Sequence, residues 1–362
     1  MTPLQNNRGA EEFDLSEAED SSAFHHLSLK LISERDRIFL DLGYSNQNFS
    51  SEVRHKGLRG FSANCIAKNN THEIIGSGHS TNRLTASSKA IGETLERIFA
   101  GLFFSEFKSE SFDVLNLSIE NGKARVMSEG QATLPPRSLQ SSNGWSLHFT
   151  QTGAIKNALT EAIERSILQK AFLLSGWNGF EKVASSEFDG RQVDYLLSKQ
   201  SEFGFKGGIT RVTLKQKSGK SFGYFVQRAD AQMDLSNLFH ATMEAFEPAA
   251  FFDAHPDYQP CPTDELSVLQ YRFASGQIPQ GPQSAPSNSR RIDALKVNCV
   301  VMDCNRFVNI GFPLYVAYVF GENLLPLIIP SRLDANGRQY LESVFNLNDI
   351  PIENRHYETP II

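Results

Sequence analysis

Three predicted helices of this chain carry the same pair of glutamates, and this repeat constrains the fold more than any other feature. The pairs are Glu93 with Glu96, Glu161 with Glu164, and Glu244 with Glu247. Residues three apart on a helix share a face, so each helix presents two carboxylates side by side. Apolar residues flank each pair, and carboxylates beside a core are costly unless cations offset their charge. The six carboxylates therefore predict a divalent-metal site, most simply Mg²⁺ carrying a nucleotide.

A polar residue stands four positions before each glutamate pair, namely Lys89, Asn157 and His240. Helical positions spaced by three and four residues lie on one face, so each helix offers a polar stripe along an apolar body. The alternative interpretation is a solvated surface helix, which is the usual setting of a single glutamate pair. The threefold occurrence and the apolar flanks favour a binding site over that alternative.

Strand and helix patterns alternate along the chain, which predicts an α+β fold with mixed α/β layering. The three glutamate helices are predicted at Ser87–Phe104, Ala154–Leu174 and Leu235–Phe252, with Pro248 interrupting or kinking the third. Strands are predicted at 61–67, 73–76, 145–150, 208–215, 221–227, 297–303 and 314–320, and short strands in a linker at 110–140.

Composition divides the chain into a tail, an extension and one main domain. Residues 1–24 are acidic and polar, which predicts a disordered tail. Residues 25–59 form an N-terminal extension, with an amphipathic helix to residue 42 and a polar loop through Ser50. Residues 60–362 form the main domain, in which 253–290 is rich in Pro, Ser, Gln and Gly and predicts an exposed loop.

Charge and hydropathy exclude several functional classes. The net charge is −6 without a long basic run, which argues against nucleic-acid binding through phosphate neutralisation. No stretch of about 18 apolar residues exists, so no membrane-spanning helix is expected. The acidic, polar first 22 residues lack the basic start and apolar stretch of a secretory signal. We therefore expect a cytoplasmic protein.

Several short motifs, in their order and spacing, resemble the YcaO family over roughly residues 60–330. They are Gly76-Ser-Gly78, Ser88 to Arg97, Ser142-Asn-Gly144, Ala158 to Arg165, Asp234 to Glu247, Val300-Val-Met-Asp303, Phe312-Pro-Leu-Tyr-Val and Phe320-Gly321. The resemblance implies a YcaO-like fold with mixed sheets and three glutamate-bearing helices around a nucleotide site.

Members of that family are ATP-dependent enzymes that activate a backbone amide of a peptide. The resemblance implies that the glutamates of the three helices hold Mg²⁺ and ATP here, and that Arg165 binds phosphate. It also implies that Asn157, and by position Lys89 and His240, contact the nucleotide. An alternative for Arg165 is a salt bridge on the helix surface.

The chain departs from the family pattern at several positions. Lys89 stands where the family often has Ser, Glu247 stands where it often has Gln, and Pro248 is unusual in that helix. Azoline-forming members commonly end in Pro-x-Pro-x-Pro, whereas Tyr357–Ile362 holds one proline. Three readings therefore stay open: cyclodehydration to an azoline, thioamide or amidine formation, and a non-catalytic scaffold of a maturation complex.

The resemblance also implies partners. The substrate is expected to be a ribosomally made precursor peptide, in bacteriocin or peptide-antibiotic maturation. No peptide-clamp domain fits in the segment before residue 60, so a separate peptide-recognition protein is expected. A dehydrogenase partner would accompany azole formation and a sulfur-transfer partner thioamidation, and a homodimer stays open.

Overall fold

The computed structural model describes twelve stretches of the chain, from which all structural statements below are drawn. They are residues 12–15, 21–55, 58–106, 111–140, 143–216, 219–231, 235–260, 271–272, 274–275, 295–321, 324–325 and 334–345. The motif residues Ser142 and Asp234 and the C-terminal stretch from Tyr357 lie outside these residues.

Three antiparallel sheets and five helices make up the described fold, which confirms the predicted α+β class. The helices are α1 (Ser21–Asp41), α2 (Arg83–Glu106), α3 (Gln151–Ser175), α4 (Leu235–Ala254) and α5 (Ala335–Phe345). The glutamate helices α2, α3 and α4 lie where the sequence predicts them, and Pro248 stands inside α4 without ending it. None of the described helices is long and apolar enough to cross a membrane.

The largest sheet has six strands and separates two cores. Its strands are β1 (Glu12–Asp14), β5 (Phe112–Glu120), β6 (Lys123–Ala132), β7 (Trp145–His148), β12 (Leu295–Asp303) and β13 (Tyr315–Phe320), in the order β1-β6-β5-β12-β13-β7. Along β13, Val316 and Tyr318 join the core that includes α2, while Ala317 and Val319 join the core of α3. Successive strand residues point to opposite faces, so helices cover both faces of this sheet.

Two smaller sheets lie beside the glutamate helices. The three-stranded sheet has the order β2-β3-β4, with β2 at Ser45–His55, β3 at Leu58–Lys68 and β4 at Glu73–Ser80. The four-stranded sheet has the order β11-β10-β9-β8, with β8 at Phe180–Phe188, β9 at Arg191–Ser198, β10 at Phe205–Thr213 and β11 at Lys220–Arg228. α2 packs against β4, and α4 packs against β11.

The predicted division of the N-terminal part is wrong where the structure describes it. Within the tail predicted to be disordered, Glu12–Asp14 forms β1 and pairs with β6, and α1 begins at Ser21. The predicted polar loop through Ser50 is part of β2, which pairs with β3 from Ser45 to His55. The predicted boundary at residue 60 therefore cuts through a paired sheet. The remaining tail residues lie outside the described stretches.

The predicted exposed loop at 253–290 also lies mostly outside the described residues. Two of its described members are buried. Ala274 packs in the core of α4, and Asp253 accepts hydrogen bonds from Arg191 and from the backbone of Lys215. The prediction of exposure is therefore wrong at these two positions, because α4 and the four-stranded sheet cover them.

Candidate active site

One large pocket collects all the residues that the sequence marks as a site. Its volume is about 1530 Å³, and α2, α3, α4 and the ends of all three sheets contribute to its walls. The predicted residues that line it are Lys89, Glu93, Glu96, Asn157, Glu161, Glu164, Arg165, His240, Glu244 and Glu247. Three helices that are distant in sequence thus present their polar stripes to one space.

An edge strand of each sheet donates a backbone N–H to one glutamate of the pocket. The N–H of Ser77 on β4 donates to Oε2 of Glu93 over 2.6 Å, and the N–H of Tyr224 on β11 donates to Oε2 of Glu244 over 2.9 Å. Glu96 accepts from the backbone of Leu147 on β7. Edge strands have N–H groups without a strand partner. The carboxylates accept hydrogen bonds from these N–H groups and are held in place by them.

Glycines allow β4 and β11 to come this close to their helices. A Cβ atom at Gly78 would lie 2.1 Å from the carbonyl oxygen of Ala86 on α2, and one at Gly223 would lie 1.9 Å from that of Ala241 on α4. Gly76 faces Ala90 in the same way, at 2.5 Å. The Gly-Ser-Gly motif therefore serves helix–strand packing.

Burial without enough positive charge raises the pKa values of Glu161, Glu164 and Glu96. Burial, with Glu164 and Glu93 nearby, raises the pKa of Glu161 to about 8 against the pull of Arg165. Burial raises the pKa of Glu164 to about 7, and burial with Glu161 and Glu93 raises that of Glu96 well above its usual range. Carboxylates in this state gain from a cation that restores their charged form.

Arg165 lies inside the pocket wall rather than on a helix surface. Its side chain is 14% exposed, and its guanidinium lies 3.6 Å from Glu164, 3.8 Å from Glu244 and 4.5 Å from the ring centre of Tyr224. Its Nη1 is buried without a hydrogen-bond partner among the described residues. This orphaned donor is available to an anionic ligand such as a phosphate. Arg165 therefore does pair with carboxylates, but in the pocket wall and not on a helix surface, and its binding of phosphate stays a prediction.

The three polar residues that precede the glutamate pairs differ in their settings. Lys89 and Asn157 are open to the space of the pocket, and the pocket walls still desolvate the Lys89 ammonium and lower its pKa. Burial and then the charge of Lys89 lower the pKa of His240 to about 4, so this imidazole is neutral at pH 7.

Sequence reasoning missed two side chains that reach Glu247. The hydroxyl of Ser62 on β3 donates to Glu247, and Nε2 of His79 on β4 lies 3.8 Å from it. The ring of His79 also lies 5.6 Å from that of His240. His79 directly follows the Gly-Ser-Gly motif, which was the available signal. Glu247 thus contacts side chains of the three-stranded sheet, whereas Glu93 contacts that sheet through the backbone N–H of Ser77.

The donor set fits a magnesium ion that shares its coordination with phosphate. In the part of the chain that the structure describes, no three His, Cys, Asp or Glu side chains stand close enough to hold an ion alone. Mg²⁺ usually takes only one or two carboxylates, with phosphate oxygens and waters completing the shell. Separated carboxylates around a wide pocket suit that mode of binding, and the individual metal ligands stay a prediction.

Comparisons with known proteins identify the fold. Neither a protein-family model nor a curated protein matches this chain. The solved structure of YcaO from Methanopyrus kandleri, bound with AMPPCP and Mg²⁺, matches with a TM-score of 0.51 and 13% identity, over 82% of this chain and 90% of that one. This chain has the YcaO fold. At such low identity the likeness establishes the fold and not the reaction.

Two further structures resemble the chain at lower TM-scores. The Escherichia coli microcin synthetase McbBCD complex with pro-MccB17 bound has a TM-score of 0.46 and 10% identity, over 76% of this chain and 87% of that one. A heterocyclase in complex with substrate and cofactor has a TM-score of 0.41 and 12% identity, over 77% of this chain and 50% of that one.

Proposed function

We propose that this protein binds Mg²⁺–ATP in the glutamate pocket and uses it to modify a backbone amide of a peptide. The observation that carries the proposal is the convergence of six partly buried carboxylates and Arg165 on one pocket in a chain with the YcaO fold. The cations of the same helix faces are Lys89, Arg97 and Arg165, so the carboxylates outnumber them. A divalent cation would offset the remaining negative charge.

The residues of the pocket have distinct tasks in this proposal. Glutamates of α2, α3 and α4 hold Mg²⁺, and the edge-strand N–H groups fix the positions of Glu93, Glu96 and Glu244. Arg165 and Lys89 contact phosphate oxygens, since both are cations facing the pocket. Bound Mg²⁺–ATP supplies a phosphoryl group that turns the amide oxygen into a good leaving group. The neutral His240 and Asn157 face the nucleotide as hydrogen-bonding groups.

The finer assignment follows from the same resemblance. We favour a precursor peptide of bacteriocin or antibiotic maturation as substrate, cyclodehydration to an azoline as the reaction, and the cytoplasm as its location. Thioamide or amidine formation is the alternative by the same activation. A separate protein presents the peptide, because activation requires the amide to be aligned with the γ-phosphate.

Calorimetry with Mg²⁺–AMPPCP tests the site directly. Glu161→Gln should weaken binding at least tenfold, about 1.4 kcal/mol, because a charged ligand of the metal is lost. Glu93→Gln and Glu244→Gln should act in the same direction. Glu120→Gln is the matched control, since Glu120 is exposed at the end of β5. Unchanged affinity in all three pocket variants would refute the nucleotide site.

Peptide-dependent ATP turnover separates an enzyme from a scaffold. With a precursor peptide and its recognition protein present, the wild-type chain should release phosphate in step with modified peptide. A mass loss of one water marks azoline or amidine closure, and exchange of oxygen for sulfur marks thioamidation. Equal modification by the Glu161→Gln chain would contradict the catalytic role and leave the scaffold reading.

A further inference from the structure

A group of basic side chains lies on one face of the four-stranded sheet. We call Lys182 on β8, Arg211 on β10 and Lys220 on β11 the basic patch. Asp194 on β9 lies among them, with its carboxylate 2.8 Å from Nζ of Lys182 and 2.6 Å from Nη2 of Arg211. The strand register puts these residues on the same face, because Asp194 pairs with Arg211 and Arg211 pairs with Phe222, two residues from Lys220.

The basic patch has more positive charge than Asp194 can balance. The Asp194 carboxylate is 5% exposed and also accepts hydrogen bonds from Ser185 and Gln192, so its acceptor capacity is filled. Within the described stretches, Lys220 has no carboxylate within ion-pair distance. Burial lowers the pKa of Lys220. Repulsion from Arg211 and Lys182 lowers it further and exceeds the opposing attraction of Asp194. The patch therefore favours an added anion.

The basic patch is continuous with the glutamate pocket. Lys220, Phe222 and Tyr224 alternate along β11 and all line the pocket, and Arg165 lies over the Tyr224 ring. A strand rises about 3.4 Å per residue, so Lys220 lies about 14 Å along β11 from Tyr224. The ring of Phe222 stacks on that of Trp177 with 5.6 Å between their centres, and the Arg211 guanidinium lies 5.7 Å from the centre of the same indole. The side chains between the basic patch and Tyr224 are therefore packed against one another.

We propose that the basic patch binds an acidic side chain of the peptide substrate, about four residues from the amide that is modified. An extended peptide along β11, with its reacting amide at the glutamates, covers the same distance in four residues. This inference rests on the proposed function, whose peptide it describes. Phosphate is the less suitable anion here, because the acceptors of Asp194 are already occupied and cannot also hold the magnesium that accompanies a nucleotide.

Fluorescence anisotropy with three labelled nonapeptides tests the patch, with and without Mg²⁺–AMPPCP. The peptides share a Gly/Ser background with one central Cys. The first peptide has Glu at both positions four residues from the Cys, and the second has Gln at those two positions. The third has Glu at both positions next to the Cys. Wild-type protein should bind the first peptide at least fivefold more tightly than the other two. Lys220→Glu should abolish that preference, and Lys220→Gln should reduce it.

Lys296→Glu is the matched control, because Lys296 is exposed on β12 of the six-stranded sheet and the charge change is the same. It should keep the full preference, and melting curves should show that all variants fold. Three results would overturn the inference: no preference in wild type, a preference that survives Lys220→Glu, or no measurable peptide binding. Weakened Mg²⁺–AMPPCP binding in Lys220→Glu with the preference intact would overturn it in favour of phosphate.

The same measurements separate this inference from the proposed function. If wild-type protein fails to bind Mg²⁺–AMPPCP but prefers the first peptide through Lys220, the nucleotide proposal fails and the acidic-residue site stands. If it binds Mg²⁺–AMPPCP through Glu161 but shows no acidic preference, the acidic-residue site fails alone.

Discussion

Buried glutamates and buried histidines act in opposite directions on the stability of this protein. Glu161 and Glu164 have pKa values of about 8 and 7 in the folded chain, above the ordinary 4.5, because burial disfavours their charge. His79 and His240 have pKa values of about 4, below the ordinary 6.5, for the same reason. The glutamates thus favour the folded state at low pH, and the histidines favour it at neutral pH.

As the pH rises above 6.5, the unfolded histidines lose their remaining protons, so the glutamates increasingly set the sign of the pH effect. The folded chain keeps a proton on Glu161 that the unfolded chain has lost, and stability should fall as pH rises from 6.5 to about 8. One such group contributes at most about 1.4 kcal/mol per pH unit. Melting curves without Mg²⁺ or nucleotide should therefore show a falling melting temperature over this range.

Glu161→Gln should flatten that slope, because glutamine holds no titrating proton. The variant should melt at a higher temperature than wild type at pH 8 and close to wild type at pH 6.5. Glu120→Gln, on the surface, should reproduce the wild-type slope. A slope in Glu161→Gln as steep as in wild type would contradict a raised pKa at this residue.

At the scale of elements, each smaller sheet is joined to its glutamate helix in the same way. β4 contacts α2 through Gly76 and Gly78, and β11 contacts α4 through Gly223. In both cases the residue after the first glycine, Ser77 or Tyr224, donates its N–H to the first glutamate of the helix pair. The close backbone approach therefore sets both the packing and the position of the carboxylate.

Gly223→Ala should displace β11 from α4, because its Cβ would lie 1.9 Å from a backbone oxygen. We expect the free energy of unfolding to fall by about 1–3 kcal/mol, the usual cost of overpacking, or by more. In chains that still fold, Mg²⁺–AMPPCP binding should also weaken, since the Tyr224 N–H moves away from Glu244. Denaturant titration and calorimetry measure the two effects.

Gly101→Ala is the matched control for Gly223→Ala. Gly101 lies inside α2 with no atom within 4 Å of a Cβ at that position. The substitution should stabilise the fold by about 0.5–1 kcal/mol, because alanine favours a helix interior over glycine. A Gly223→Ala chain as stable as Gly101→Ala would show that β11 does not need this close approach.

At the scale of the whole molecule, the N-terminal segment is part of the central sheet. β1 pairs with β6, Leu15 is 6% exposed in the core of α3, and the Leu15 N–H donates to Gly122 over 3.1 Å. Glu12 also pairs with Arg125 and Lys123, although exposed ion pairs of this kind add little. The segment closes one edge of the six-stranded sheet.

The effect of an N-terminal truncation on the melting temperature should therefore depend on where the truncation ends. Removing residues 1–11 should leave the melting temperature unchanged, whereas removing residues 1–20 should lower it by a few degrees. Leu15→Ala in the full chain should cost about 2–3 kcal/mol, as other buried leucines do. If removal of residues 1–20 leaves the melting temperature unchanged, the strand contributes nothing to stability.

Local patterns in the sequence were enough to predict the helices, most strands and the residues that line the pocket. A helix has a fixed period, so the spacing of Glu161, Glu164 and Asn157 was enough to place them on one face of α3. The continuous apolar run at 314–320 was enough to predict a strand where β13 lies. The polar β2 and the hairpin β8–β9 carried no such pattern, because their burial depends on partners far along the chain.

How the three helices meet, and what holds each carboxylate, depends on contacts between residues far apart in the chain. The contacts of Glu244 with Tyr224 and of Glu247 with Ser62 join residues from 20 to 185 positions apart, which no local period encodes. Desolvation decides the pKa of Glu161, and it depends on every element packed around the pocket. Helical spacing was enough to predict which side chains share a face toward the pocket, and packing set their distances, their charge and the excess positive charge beside Lys220.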